Sequence, residues 1–144
     1  MDAASNEEPD MTKFLLLTKY GATDGLQPMS YWDPEDIQAH LDFLGALNRE
    51  LNERGELVDA QALTGPELAT IVTSDGVRAP VLTDGPFPES KELLAGYQMV
   101  DVESQGRAIE IAARLSAAPG PGGIAIQQPI EVRQVMGAPP GAEL

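Results

Sequence analysis

The chain contains no cysteine. Disulfides, thiolate metal sites and thiol nucleophiles are thereby excluded, and the composition fits a reducing compartment, so a cytoplasmic location is expected. There is one histidine, so a transition-metal site would have to be rich in carboxylates, and no ligand spacing supports one. No cofactor is expected. Basic residues are scarce: 9 Lys and Arg stand against 23 Asp and Glu, a net charge of -14. The bases are scattered from Lys13 to Arg133 and form no patch. Affinity for nucleic acid comes mostly from Lys and Arg on phosphates, so no DNA or RNA partner is expected, and the same charge disfavours anionic membranes. Apolar runs are only a few residues long, too short to cross a bilayer. The acidic, polar start lacks the basic and apolar regions of a signal peptide. No phosphate-binding glycine loop, nucleotide fingerprint or serine-nucleophile elbow occurs.

What is present fits one domain of 144 residues. Residues 1–10 hold Asp2, Glu7, Glu8 and Asp10 with no base, and read as a disordered acidic tail. Without these four acids the charge is still -10, so the folded part is itself acidic. Met11 opens a stretch that reads as a natural start. Residues 11–137 form the domain, and 138–144 a loose C-terminal tail.

Along the domain, KFLLLTKY at 13–20 is too short for a helix and reads as a buried strand. After a Gly- and Pro-bearing loop, Asp33 can cap a helix, with Pro34 at its first position and Glu35 and Asp36 at its positive end. That helix runs to about Arg54 and stops at Gly55, with Ile37, His40, Leu41, Leu44, Leu47 and Leu51 on one stripe. Strands follow at 57–63 and 68–74. Asp75-Gly76 signals a hairpin whose return, 79–83, carries Pro80 and belongs at an edge. Residues 89–95 offer one or two helical turns ending at Gly96, and 97–102 is a strand. Ser104 can cap a second helix over 105–117 with Ala108, Ile109, Ala112 and Leu115 inward, and 130–136 is the last strand.

This order gives an α+β fold: a ferredoxin-like βαββαβ plan with an extra hairpin strand. Two helices cover one face of an antiparallel sheet. The other face needs cover, and a second copy of the chain is the simplest source, so a homodimer is expected.

One segment is unusually specific. Asp84-Gly85-Pro86-Phe87-Pro88-Glu89-Ser90-Lys91-Glu92, followed by Gly96-Tyr97, resembles the signature of the DGPF-motif branch of the YCII-related family. The opening MTKFLLLTKYG and the closing IEVRQVM resemble that family's first and last strands. AHLDFLGALNRELNERGELVDAQAL resembles its first helix and second strand. The resemblance covers about residues 11–137. It implies a ferredoxin-like fold paired into a dimeric α/β barrel, with His40 matching the proposed catalytic histidine. A few relatives act as small lyases or dehalogenase-like enzymes. DGPF-type genes often accompany extracytoplasmic-function sigma factors. One departure stands out: where other family members carry an Asp-Pro-Phe-like segment after the second helix, this chain has Ala117-Ala118-Pro119-Gly120. Asp84 or Asp59 is left to stand in for the missing acid.

Each candidate has two readings. His40 is a general acid or base, or a core histidine satisfied by a backbone carbonyl. Asp84 orients His40 or binds substrate, or closes an Asx turn. Gly85 and Pro86 set the loop's shape, and Phe87 anchors it on the core. Glu89, Lys91 and Glu92 are a solvated charge run, or they serve a ligand, with Lys91 holding a carboxylate or enolate oxygen. Tyr31 and Trp32 staple the first helix or line a pocket mouth. Together His40 and the 84–92 loop are expected to share one pocket between sheet and first helix. That pocket serves either proton-transfer chemistry of the lyase or isomerase kind, or a non-catalytic ligand-binding or regulatory module.

Overall fold

The computed structural model describes residues 10–20, 28–85 and 93–142. Strand β1 (Thr12–Tyr20) leads to helix α1 (Pro34–Glu53) and strand β2 (Leu57–Ala62). A hairpin follows, β3 (Thr70–Thr73) and β4 (Val81–Asp84). Then come β5 (Leu93–Val102), α2 (Gln105–Ser116) and β6 (Ile130–Gln134). Four strands form one antiparallel sheet in the order β2-β5-β1-β6, an α+β arrangement compatible with the ferredoxin-like plan.

The hairpin departs from expectation. β3 and β4 pair only with each other, in a second sheet of two strands, instead of adding a strand to the main one. The Thr64-Gly65-Pro66 turn and a 3-10 turn at Pro66–Leu68 redirect the chain before β3 can follow β2. At the tip, Asp75 Oδ1 accepts from the Val77 and Arg78 amides at 2.9 Å each.

The second correction concerns residues 93–95. They belong to β5, pairing Leu93 with Tyr20 and Leu94 with Lys19, and not to a helical turn. Gly96 is therefore no helix stop. It lies mid-strand where an added Cβ would sit 2.8 Å from the Gln61 carbonyl oxygen, so glycine is required by close backbone approach. Residues 89–92 lie outside the described residues.

Local chemistry explains the helix ends. At the start of α1 the Asp33 carbonyl accepts from the Asp36 and Ile37 amides, while its side chain makes no cap bond, contrary to expectation. At the end, Gly55 takes φ +72°. The Gly55 amide donates to Asn52 and the Glu56 amide to Leu51, a complete Schellman pair. In α2, Ser104 does cap, accepting from the Arg107 amide at 3.1 Å.

One core joins sheet and helices. Phe14 and Leu16 of β1, Val100 and Val102 of β5, Leu47 and Leu51 of α1, and Ala108, Ile111 and Ala112 of α2 are all buried. Ile109 was expected inward but is 52% exposed, and Ile111 takes its place. At 100° per residue Ile109 falls well off the line through Ala108, Ala112 and Leu115, whereas Ile111 falls beside it. Glu56 ties the helices together. Its carboxylate receives a two-pronged bond from Arg107 at 2.8 and 2.9 Å and a third from Arg54 at 2.9 Å. The Arg107 bonds hold the Glu56 carboxyl below the usual carboxylate range, against the opposing effect of burial.

Candidate functional site

The helix-facing side of the sheet is filled at one end and hollow at the other. Strand pairing places Thr12, Phe14, Leu16 and Thr18 on this side, opposite Val102, Val100, Gln98 and Gly96 in turn. Ala60 and Ala62 of β2 join them opposite Gln98 and Gly96. Toward Val102 the side chains are large. Toward Gly96 they are Thr, Gly and Ala, too small to reach α1. The gap is a cleft of about 440 Å³.

Its floor includes Thr18, Ala60, Ala62, Ala95 and Gly96, and its roof Leu41 and Leu44 of α1. Met29, Leu63 and Leu115 add apolar surface. The polar side chains of the lining are His40, Asn48, Gln98 and Gln128, whereas Gln61 and Tyr97 border it at strand positions whose side chains belong to the other face of the sheet. Among the described residues no Lys, Arg, Asp or Glu lines the cleft.

His40 is nearly two turns into α1, buried, and on the cleft wall. Its Nδ1 lies 3.0 Å from the Pro119 carbonyl oxygen. A carbonyl only accepts, so Nδ1 carries the proton and Nε2 holds the lone pair in the neutral ring. The Trp32 indole packs edge-on against the imidazole, with centroids 5.6 Å apart and planes at 86°. Trp32 thus steadies the histidine, while Tyr31 beside it is 73% exposed. Nε2 has no hydrogen-bond partner among the described residues. Nor is it a sealed orphan, since Gln98 Oε1 alone among them is a buried side-chain atom left unpaired.

The Pro119 carbonyl is placed by a folded-back loop. After α2, Pro119 bridges to Ala125, and the Ile126 amide donates to the Ala118 carbonyl at 2.9 Å. Gly120 permits this fold, because a Cβ there would sit 2.8 Å from Ile126 Cγ1. The segment expected to lack an acid thus supplies a main-chain oxygen to the histidine instead.

The other expected partners lie elsewhere. Asp59 accepts from the Tyr97 hydroxyl at 2.8 Å, and that bond holds its carboxyl below the usual range. Asp84 ends β4, exposed and paired with Thr70, and does not line the cleft. Gly85, at φ +76°, donates its amide to Ala69 and does not line it either. Pro86, Phe87, Glu89, Lys91 and Glu92 lie outside the described residues.

Two amides that sequence reasoning missed sit deeper in the cleft. Gln98 Nε2 donates to Asn48 Oδ1, and Gln98 Oε1 has no partner while the residue is only 7% exposed. Leaving such an atom unpaired costs on the order of 1–3 kcal/mol. The available signals were the inward parity Gln98 shares with Val100 and Val102, and Asn48's spacing between Leu44 and Leu51.

Among the described residues, two α-helices on an antiparallel sheet with a histidine-bearing cleft define the class. Residues 13–131 match the YCII-related domain family, and the chain belongs to that family. It is also 32% identical over 89 residues to an uncharacterized protein of Rhizobium meliloti (strain 1021), covering 62% of this chain and 71% of that relative. No helix among the described residues is long and apolar enough to cross a membrane.

Proposed function

We propose that this chain binds a small molecule in the cleft and that His40 moves a proton on it, as in a lyase or isomerase reaction on a carbonyl or phenolic compound. The observation that carries this reading is the His40 arrangement. The proton on Nδ1 is held by the Pro119 carbonyl, Nε2 has no partner among the described residues, and the residue lines the cleft. A neutral imidazole so held takes a proton at Nε2 from a carbon beside a carbonyl, or from a phenol, and returns it at another position. The carbonyl dipole steadies the imidazolium that forms in between.

The same reading keeps the DGPF-branch resemblance as its guide to the rest of the site. Pro86, Phe87, Glu89, Lys91 and Glu92 are its candidate assisting and ligand-holding residues, supported by the signature alone, while Asp84 and Gly85, which stand off the cleft, enter this reading only as the start of that segment. It takes the protein to be cytoplasmic and a homodimer, paired through the sheet side that carries Leu15, Leu17, Tyr97 and Met99, as in a dimeric α/β barrel. A second reading, a non-catalytic binding or regulatory module, is favoured by one observation: a main-chain oxygen and Trp32 already satisfy His40 as they would a core histidine.

The test is deuterium exchange into simple ketones, aldehydes and phenols in heavy water, followed by NMR, with wild type and His40→Gln. Exchange by wild type that drops to background in the variant is the expected result. Equal exchange by both proteins, or none by either, removes the catalytic reading and leaves the binding module.

A further inference from the structure

The cleft's polar chemistry is unusually one-sided. Its described walls are mainly apolar and carry no ionic side chain. A carboxylate or phosphate entering it would lose water and, among the described residues, meet no Lys or Arg, with His40 the one side chain there able to carry a positive charge. Yet the cleft is not purely greasy, because the Gln98–Asn48 pair lies on its wall with one amide atom unused. Turning either amide end over exchanges which atom is orphaned but does not remove the deficit, since one bond joins two groups that each need more. With Nε2 donating to Asn48, the unused atom is Oε1, an acceptor waiting for a donor. Oε1 is itself buried on the cleft wall, so a ligand donor reaches it through a turn about the terminal torsion of glutamine, which is broad.

We propose that the cleft selects an uncharged molecule with an apolar body and one N–H or O–H group, a carboxamide or a phenol, and that Gln98 is the residue that recognises that group. Asn48 is a positioning residue that holds the Gln98 amide. This deepens the small-molecule reading above and rests on it for the cleft's use, but not on any catalytic role of His40. A donor-bearing ligand meets Oε1 directly or through one water, and its apolar body covers Leu41, Leu44 and the alanine floor. The same molecule with its donor replaced by a carboxylate has no hydrogen to offer Oε1 and, among the described residues, meets no Lys or Arg.

Benzamide and benzoate form the decisive pair, with phenol as the second neutral probe. Their binding is measured by NMR shift perturbation and titration calorimetry on the full chain. Benzamide and phenol are expected to bind with shifts confined to cleft residues, and benzoate at least tenfold more weakly. Gln98→Met keeps the side chain's length and removes its polar atoms. It is expected to weaken benzamide about tenfold, a loss of roughly 1.4 kcal/mol, while the protein stays folded, since the Oε1 deficit is removed and Asn48 Oδ1, only half-buried, loses its donor in exchange. His40→Gln is measured alongside. Benzamide binding that survives in a His40→Gln protein without exchange activity, or in a protein that never showed any, supports the ligand class independently of catalysis. Benzoate binding as tight as benzamide, unchanged benzamide affinity in folded Gln98→Met, or no cleft binding by either neutral probe at millimolar concentration overturns it.

Discussion

The two ends of one sheet surface differ by the size of a few side chains. At one end Phe14, Leu16, Val100 and Val102 meet Leu47, Leu51 and Ile111, and no room remains. At the other, Thr18, Ala60, Ala62 and Gly96 lie beneath Leu41 and Leu44, and the result is a cleft. The helix runs across both, and β1 and β5 keep one register from Thr12 to Thr18. That register slips once beyond the hollow end, between Thr18 and Lys19, where Ala95 is the extra residue, and β2 slips once at the filled end, between Leu57 and Asp59. The hollow therefore reflects residue choice along the paired stretch, with a local irregularity at its far edge. The helix shares this division: its C-terminal half supplies core, its N-terminal half supplies the roof and the imidazole.

The sharpest way to break that comparison is to shorten leucines at both ends. Leu51→Ala leaves a cavity in close-packed surroundings and is expected to cost about 2–5 kcal/mol. Leu44→Ala enlarges space already open, loses only partial burial, and is expected to cost below about 1.5 kcal/mol. Chemical denaturation of both variants checks this, and equal losses would mean the cleft end is packed as tightly as the core.

A smaller effect belongs to Glu56, which closes the filled end. Glu56→Gln leaves Arg107, itself mostly buried, without its charge partner and is expected to cost about 2–3 kcal/mol at neutral pH. The Arg107 bonds lower the Glu56 pKa in the folded protein. Its contribution is therefore present above the ordinary carboxylate pKa and is lost as pH falls through the lowered folded value. Wild type and Glu56→Gln should accordingly converge in stability in acid. A gap that stays constant down to strongly acidic solution would show that the contribution is not carried by the charge.

The smallest change in stability is expected where the sheet is hollow. Ala60→Leu grows a side chain into open space, so stability should stay within about 1 kcal/mol of wild type while benzamide binding disappears. Denaturation and calorimetry on one sample check both halves. A loss as large as that of Leu51→Ala would mean the space is not available to a ligand.

Much of the scaffold was legible in the sequence because it rests on local rules. The α1 stripe, Pro34, Gly55 and the Ser104 cap each act within a few residues. Ile109 was misread because a short helix with alanines on its inner line leaves the stripe's centre poorly marked. Gly96 was misread because its reason, a carbonyl on the neighbouring strand, is a tertiary fact. The same division holds in the cleft. His40 stood out as the one histidine on an apolar stripe. Its true partner did not, because Pro119 contributes a main-chain oxygen that any residue would carry. Gln98 was visible only as a polar residue out of place in an inward series, a signal that needs the register to be known.

The hairpin excursion bears on how this chain can vary. It leaves the main sheet after Ala62 and returns before Gly96, and those two residues face each other across neighbouring strands. Just outside them the Leu63 amide donates to the Ala95 carbonyl at 2.9 Å, so the departure is stitched shut at its base. The sheet is therefore indifferent to the length of what lies between, since doubling a closed loop costs only about 0.6 kcal/mol. Insertion, trimming or replacement within residues 64–85 is a change to an appendage and leaves the frame intact. The signature that opens there, at Asp84-Gly85, begins on a part of the chain the frame does not need.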